Sequence, residues 1–339
     1  MKTAVVILNW NGVHWLQKFL PSVVANSPEA TVVVADNGST DASESYTRTH
    51  HPQVLWLGME ENRGYAGGYN VALERLHQDN PDLTYAVLMN SDIEPLAGWL
   101  EPLVTFMDAH PQAGAIQPKL LDYARPERFE YAGAMGGGLD QWGYPFAQGR
   151  LFDSCEEDRG QYDEPAYPAV FWASGACLMV RMEAFRRAGQ LDTALFAHME
   201  EIDLCWRMWR AGYTVHAAAP SKVLHVGGGT LGALSPQKTF LNFRNSLLVA
   251  VKNAPTLDAM RMVAARLFLD GLAGLLFLSR GQGAHCWAIV RAHGQFYRMF
   301  SRFAFRPQQD TKGWPQAGVY PGSIVWAYYA KKKKQIPLS

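Results

Sequence analysis

The side chains best placed to do chemistry in this 339-residue chain are acids and amides that follow short apolar runs, together with one acidic cluster further on. In YAVLMNSDIE (85–94), an apolar run ends in Asn90, Ser91 and Asp92. A carboxylate beside other oxygen donors at a strand end suits a hard divalent cation, Mg²⁺ or Mn²⁺, bridging two phosphates. In FAHMEEIDLCWR (196–207), Glu200, Glu201 and Asp203 crowd the start of a helical pattern. One of these carboxylates can serve as a general base, because a hydroxyl is a poor nucleophile until its proton is removed. The plainer reading is that acids favour a helix N-terminus, with Glu200, Asp203 and Arg207 forming a surface salt-bridge network.

Three further segments carry weaker signals. In VVVADNGSTD (32–41), Asp36 can accept hydrogen bonds from a nucleobase imide or ribose hydroxyls, or can cap the turn with Asp41. In NRGYAGGYN (62–70), three glycines open a helical pattern, so backbone amides could approach a diphosphate while Arg63 offsets its charge. The spacing is neither that of a dinucleotide fingerprint nor that of a P-loop, and an ordinary glycine turn explains it as well. In HVGGGT (225–230), His225 either completes a metal site or contacts a diphosphate, or is structural.

These residues need a frame that brings strand ends together. Apolar runs at 4–8, 31–35 and 85–89 alternate with helical patterns such as 15–25, a rhythm that predicts βαβ units and a largely parallel sheet. The loops 9–12, 36–41 and 90–92 then fall at strand carboxyl ends, where open α/β sheets bind ligands. Residues 122–168 read as irregular connection or small antiparallel strands, 170–180 as a buried strand, and 196–211 as a helix stopped by Gly212. Two helical patterns follow, at 257–278 and 284–306. The first carries Asp258, Arg261, Arg266 and Asp270, which leaves too short an apolar run to span a bilayer. The second sets Ile289, Phe296, Phe300 and Phe303 opposite Arg291, Arg298, Arg302 and Arg306, the pattern of a basic amphipathic helix on a membrane surface.

The formal charge of zero conceals a basic tail: thirteen Lys and Arg lie from Lys252 onward, against Asp258, Asp270 and Asp310. Cys155, Cys177, Cys205 and Cys286 show no CxxC pairing and read as free thiols in a reducing compartment. Asn9 and Asn11 interrupt the first apolar run before a signal-peptide core is complete, so the expected location is the cytoplasm.

Taken in order, NWNG (9–12), VVVADNGSTD, NRGYAGGYN, LMNSD, SGAC (174–177), MEEIDLCWR, HVGGG and FRN (243–245) resemble the family 2 inverting glycosyltransferases, in particular their rhamnosyltransferase-like branch. The resemblance covers residues 3–253. It implies a GT-A fold, an α/β architecture with a mixed, mainly parallel sheet flanked by helices. A catalytic domain at 1–253 would be followed by a helical, basic extension at 254–339. It implies an enzyme that moves a sugar from a nucleotide-diphosphate donor, of dTDP-rhamnose or UDP-sugar type, onto a saccharide or lipid-linked acceptor hydroxyl by metal-assisted single displacement.

Carried over by residue, the resemblance makes Glu201 the base with Asp203 in support. It assigns Asp92 and His225 to the divalent cation, and Asn9, Asn11, Asp36, Asn37, Asn62, Arg63, Gly64, Gly67, Asn70, Asn90 and Ser91 to the donor. Two departures stand out: Asn90 replaces the first acid of the DXD-type motif, and Glu201 stands where Asp is more usual. The expected setting is the cytoplasmic face of the inner membrane, with an anionic lipid surface or a second copy of the chain as partner of the C-terminal part, and no nucleic acid. The competing readings are a catalytically silent nucleotide-sugar-binding scaffold, which a missing Asp92 or acidic pair would have favoured, and a sugar nucleotidyltransferase. The latter usually needs a basic triphosphate loop near the first strand, and loop 9–12 has no Lys or Arg.

Overall fold

A computed structural model describes residues 1–227, 235–304 and 313–338. Gly228, Gly229 and Thr230 of the glycine segment, and Phe305 and Arg306 at the end of the second C-terminal pattern, lie outside the described residues.

The chain begins as the alternation requires: β1 (Thr3–Asn9), α1 (Val13–Ala25), β2 (Thr31–Asp36), α2 (Ser43–His50), β3 (Leu55–Gly58), α3 (Gly64–Asp79) and β4 (Tyr85–Asn90). Strand β1 pairs in parallel with β2 and β4, and β2 with β3. The next elements are β5 (Ile93–Pro95), α4 (Leu100–Ala109), β6 (Ala113–Asp122) and β7 (Arg125–Phe129). Four short strands follow, β8 (Gly137–Asp140), β9 (Pro145–Ala147), β10 (Arg150–Leu151) and β11 (Ser154–Cys155). Then come β12 (Cys177–Arg181), α5 (Met182–Arg187), α6 (Glu200–Arg210) and β13 (Thr214–His225). Helices α7 (Pro236–Asn253), α8 (Thr256–Ser279) and α9 (Gly283–Ala304) lead to β14 (Val319–Tyr320).

The main sheet runs β3-β2-β1-β4-β12-β6-β13-β5, with β7 on β6. Its strands are parallel on the β3 side and mixed beyond β4, where β12 is antiparallel to both β4 and β6. Alternate residues of β1 face the two hydrophobic layers: Ala4 and Val6 join one, Val5 and Ile7 the other. Strands β8–β11 form a second, small sheet completed by β14.

Two expectations shift. The strand foreseen at 170–180 is confined to β12, because Ala169 and Trp172 make only isolated bridges and the SGAC turn breaks the run. The helix foreseen at 196–211 starts only at Glu200, since Phe196, His198 and Met199 all hold left-handed φ angles of 66°, 67° and 73°. Such backbone costs about 1–3 kcal/mol per residue and persists only where surroundings impose it. Here Asn245 imposes it: its Nδ2 lies 3.0, 2.9 and 2.7 Å from the carbonyls of Leu195, Ala197 and His198. Arg244 adds a bond to the Leu195 carbonyl.

The C-terminal third packs differently from its sequence pattern. Phe296 and Phe303 of α9, expected on a membrane-facing stripe, are buried in the main core. Ala288 and Ala292 pack on Phe240 and Leu241 of α7. The apolar face left open belongs to α8, where Leu257, Met260, Leu267, Phe268, Leu275 and Leu278 are each more than half exposed. Helix α8, with mean hydropathy 1.7 over its apolar window, is in fact long and apolar enough to cross a membrane by length and composition. The earlier count of charges misjudged it, because Arg266 and Asp270 point inward and bond each other at 2.8 Å. Asp270 also accepts from Tyr144 (2.6 Å) and lies 3.0 Å from His293 Nε2. Residues beyond 312 return to the body: Trp314 stacks on Trp206, and Leu338 packs beside Phe146.

Lys252 near the end of α7 is buried between Asp192 (2.7 Å) and Asp203 (2.8 Å). Breaking a buried ion pair on one side typically costs about 3–5 kcal/mol. Lys252→Met is therefore expected to lower unfolding free energy by about that amount in urea titration; a loss below about 1 kcal/mol would show that the two acids find other partners.

Candidate active site

The carboxyl ends of β1, β2 and β3 carry one connected polar network. Asn9 Nδ2 donates to Asp36 Oδ1 at 2.9 Å, and Asp36 also accepts from the Ser39 amide (2.9 Å) and hydroxyl (2.6 Å). Asn11 Oδ1 accepts from the Thr40 amide. Asn37 accepts from the Arg63 amide and donates to Asn62 Oδ1 and the Gly64 carbonyl, while Asn62 accepts from the Gly64 amide. The structure thus gathers Asn9, Asn11, Asp36, Asn37, Asn62, Arg63 and Gly64 in three adjoining loops.

Two donor-site expectations are corrected. Asn70 has both ends of its amide committed to the Leu191 backbone, where it fastens the loop after α5. A Cβ at Gly67 would meet the Arg63 Cβ at 2.8 Å, and one at Gly68 would meet Leu8 Cδ1 at 2.7 Å. These two glycines are explained by close packing of α3, without a phosphate cradle.

Beside this network, Asp92 occupies the turn between β4 and β5, and His225 ends β13. Because β13 pairs with β5, with His225 opposite Ile93, the imidazole is carried to the carboxylate. His225 Nε2 lies 3.2 Å from Asp92 Oδ1, and Nδ1 lies 3.1 Å from Glu130 Oε2. Burial disfavours the imidazolium, yet the two carboxylates override it and raise the His225 pKa to about 10. Glu130 was not picked out from sequence, since it lies in the irregular stretch after β7. Asn90 and Ser91 adjoin Asp92 with partly exposed side chains, and the Asn90 amide bonds the Ala176 carbonyl at 2.9 Å.

Two carboxylates and an imidazole are suitable donors for Mg²⁺ or Mn²⁺. Among the described residues no three such groups form a ready metal cluster.

The acidic cluster divides into two kinds. Asp203 is fully buried, and accepts from Arg207 Nε, Lys252 Nζ and Asn253 Nδ2, each at 2.8 Å. Burial alone would raise its pKa, but the two cations and their hydrogen bonds hold it well below the usual carboxylate range. Asp203 is therefore a structural anion that ties α6 to α7, which corrects its assignment as a catalytic acid. Arg207 is committed to Asp203, so the expected Glu200–Arg207 surface pair is also corrected.

Glu200 and Glu201 are the other kind. Each has a buried Oε2 with no hydrogen-bond partner, and burial raises both pKa values, that of Glu201 to about 7. The charge of Glu201 adds to the rise at Glu200. The SGAC turn borders them: Tyr65 donates to the Gly175 carbonyl at 2.5 Å, and a Cβ at Gly175 would stand 3.5 Å from Glu201 Cβ. The rings of Tyr65 and Tyr69 meet edge to face at 4.7 Å. Tyr65 lies within electrostatic reach of Glu200 and Glu201, and Tyr69 within reach of Asp92, so this tyrosine pair joins the two halves of the site.

The model of "Glycosyl transferase family 2" matches residues 4–156. The chain is 28% identical over 231 residues, 65% of its own length and 75% of the relative's, to the N-acetylglucosaminyl-diphospho-decaprenol L-rhamnosyltransferase of Mycobacterium tuberculosis. Its fold is similar to that of the mannosyltransferase PcManGT from Pyrobaculum calidifontis in complex with GDP-Man and Mn²⁺, with TM-score 0.52 and 15% identity, over 87% of each chain. It is also similar to GalNAc-T7 with UDP, GalNAc and Mn²⁺, with TM-score 0.59 and 14% identity, over 91% of this chain and 59% of that one. The chain thus spans less than two thirds of GalNAc-T7.

The carboxylate pair has a consequence for stability. A folded-state pKa above the unfolded value means that the native state binds more protons, so stability falls as pH rises from about 4.5 through the raised folded value. Glu200→Gln removes that penalty without changing size. It is expected to raise the melting temperature at pH 8 while leaving it nearly unchanged at pH 4.5. A melting temperature lowered at both pH values would mean that ionised Glu200 has a stabilising partner.

Proposed function

Since the chain is a family 2 glycosyltransferase built on a GT-A fold, we propose that it transfers a sugar from a nucleotide-diphosphate donor to a hydroxyl of a lipid-linked, diphosphate-bearing saccharide by single displacement with inversion. The observation that carries this reading is the unpartnered Glu200–Glu201 pair at the start of α6, joined through Tyr65 and Tyr69 to the Asp92–His225 side of the site.

Glu201 is the proposed base. With a pKa near 7, it can accept a proton at neutral pH and is basic enough to assist a hydroxyl as it attacks. Burial and the neighbouring charge of Glu201 push the Glu200 pKa up as well. Asn9, Asp36, Asn37 and Asn62 shape the loops that would receive the nucleoside. Asp92 and His225, supported by Glu130, would hold a divalent cation, whose bound charge would stabilise the departing diphosphate. The acceptor class is carried over from the mycobacterial relative, whose name specifies a diphospho-decaprenol. The nucleotide and sugar are proposed as dTDP-rhamnose or a UDP-sugar.

A lipid-linked acceptor places the enzyme at a membrane, and α8 supplies the face. Its outer side presents Leu267, Phe268, Leu275 and Leu278, while Trp326 and Tyr329 are exposed ahead of the four lysines 331–334. Tyr329 and Arg280, just beyond α8, lie within electrostatic reach of each other. Aromatic and basic residues beside an apolar helix face favour the interface of an anionic bilayer, each lysine adding about 1 kcal/mol. The inward Arg266–Asp270 pair keeps α8 lying along the protein body. The proposed setting is therefore peripheral, on the cytoplasmic leaflet.

Three measurements test this reading. Glu201→Gln should reduce kcat about 10² to 10⁴-fold with donor affinity little changed. It should also abolish the limb of the wild-type rate profile that falls as pH drops through about 7; a surviving limb would move the base to another group. Asp92→Asn should abolish divalent-dependent donor turnover while the protein stays folded, and full wild-type activity in excess EDTA would overturn the metal assignment. Leu267→Glu/Phe268→Glu should lose co-sedimentation with vesicles containing anionic lipid while retaining turnover of a water-soluble acceptor. Undiminished co-sedimentation would remove α8 from the membrane contact.

A further inference from the structure

Two cations, Arg150 and Lys238, converge on one tyrosine ring. The guanidinium of Arg150, in β10, lies 4.7 Å from the centroid of the Tyr131 ring, and the Lys238 ammonium, in the first turn of α7, lies 5.8 Å from the same centroid. Neither forms an ion pair with a carboxylate among the described residues, and the glycine segment 228–234 carries no acid in its sequence. Arg150 Nε is buried with no hydrogen-bond partner. Glu130 lies within electrostatic reach of Lys238, and its carboxylate is also engaged by His225 and by the Ala132 amide at 2.6 Å.

Holding two like charges on one tyrosine is unfavourable unless something negative joins them. The surroundings suit an anion. Lys238 sits at the N-terminus of an 18-residue helix with no acid in its first turn, so the helix dipole adds positive potential there. On the other side is His198, two residues before Glu200, whose Nε2 is buried without a partner and which lies within electrostatic reach of Lys238. Lys238 thus stands between the His225–Glu130 half of the site and the Glu200–Glu201 half. Arg favours phosphate through paired donors, and Lys through its point charge.

We propose that Arg150 and Lys238, converging over Tyr131, form a subsite for a phosphate or diphosphate group beside the reacting centre. The proposal rests on the glycosyl-transfer reading only for its source, which is the diphosphate of the acceptor or that of the donor. In either case the two cations hold the phosphate oxygens, with His198 positioned to add a hydrogen bond.

Binding can be measured without turnover. Isothermal titration with inorganic pyrophosphate in EDTA, which removes any metal-mediated contribution, is expected to show binding to the full-length protein. Binding should weaken at least tenfold in Arg150→Gln and in Lys238→Gln, and should be largely kept in Lys238→Arg. Glu201→Gln, which disables the proposed base, should bind pyrophosphate as the wild type does, so failure of the catalytic reading would leave this result standing. Circular dichroism melts establish that each variant is folded, and Tyr131→Phe provides a variant that keeps the ring platform.

Two further titrations, with dTDP and with a short-chain lipid diphosphate saccharide, identify the source. Weakened dTDP binding in the Gln variants assigns the subsite to the donor, and weakened binding of the saccharide assigns it to the acceptor. Pyrophosphate affinity unchanged in the folded Arg150→Gln/Lys238→Gln double variant, or absent from the wild type, overturns the proposal.

Discussion

The site depends on one buried anion. Asp203 is charged in the core only because Arg207, Lys252 and Asn253 converge on it, and this convergence fixes α6 against α7. Helix α6 begins with Glu200 and Glu201, so their position follows from where Asp203 is held. The chain enters α6 through the left-handed turn at Phe196, His198 and Met199, and Asn245 donates to the carbonyls of Leu195, Ala197 and His198 there. Strained backbone, ion pair and acidic pair form one mechanical unit.

Within that unit, neighbouring acids receive opposite treatment. Asp203 has two cations and an amide, and its carboxyl pKa is lowered; Glu200 and Glu201 have a buried oxygen each without a partner, and theirs are raised. Three residues of one helical turn therefore separate into an anchor and a pair suited to proton transfer, because environment rather than residue type sets ionisation. The raised pair costs stability at neutral pH, which the ion pairs of Asp203 help the fold to tolerate.

The parts of this arrangement legible in sequence were those with local causes. Strand periodicity followed by Asn, Asp and Ser loops located Asn9, Asp36 and Asp92 at strand ends, since a strand and its terminating loop are contiguous in the chain. The role of Asp203 was not legible, because its partners Lys252 and Asn253 lie 49 and 50 residues away. Asn70 looked like a ligand-facing amide for the same reason: its partner, Leu191, is 121 residues distant. Glu130 sits in a stretch without periodicity and is brought to His225 only by the pairing of β6 with β7 and β13.

The C-terminal helices show how a pattern can identify the right property on the wrong element. Helix α9 has the clearer amphipathic sequence, and its apolar stripe is real, but α7 and the main core cover it. Helix α8 was discounted for its charges. Those at Arg266 and Asp270 are one turn apart, neutralise each other and face Tyr144 and His293, so they mark the inner side of the helix. A helix whose central charges face inward can leave its outer surface apolar, the reverse of the usual arrangement in a water-soluble protein. That surface has a chemical reason to remain apolar: the substrate class proposed for the site is itself anchored in lipid.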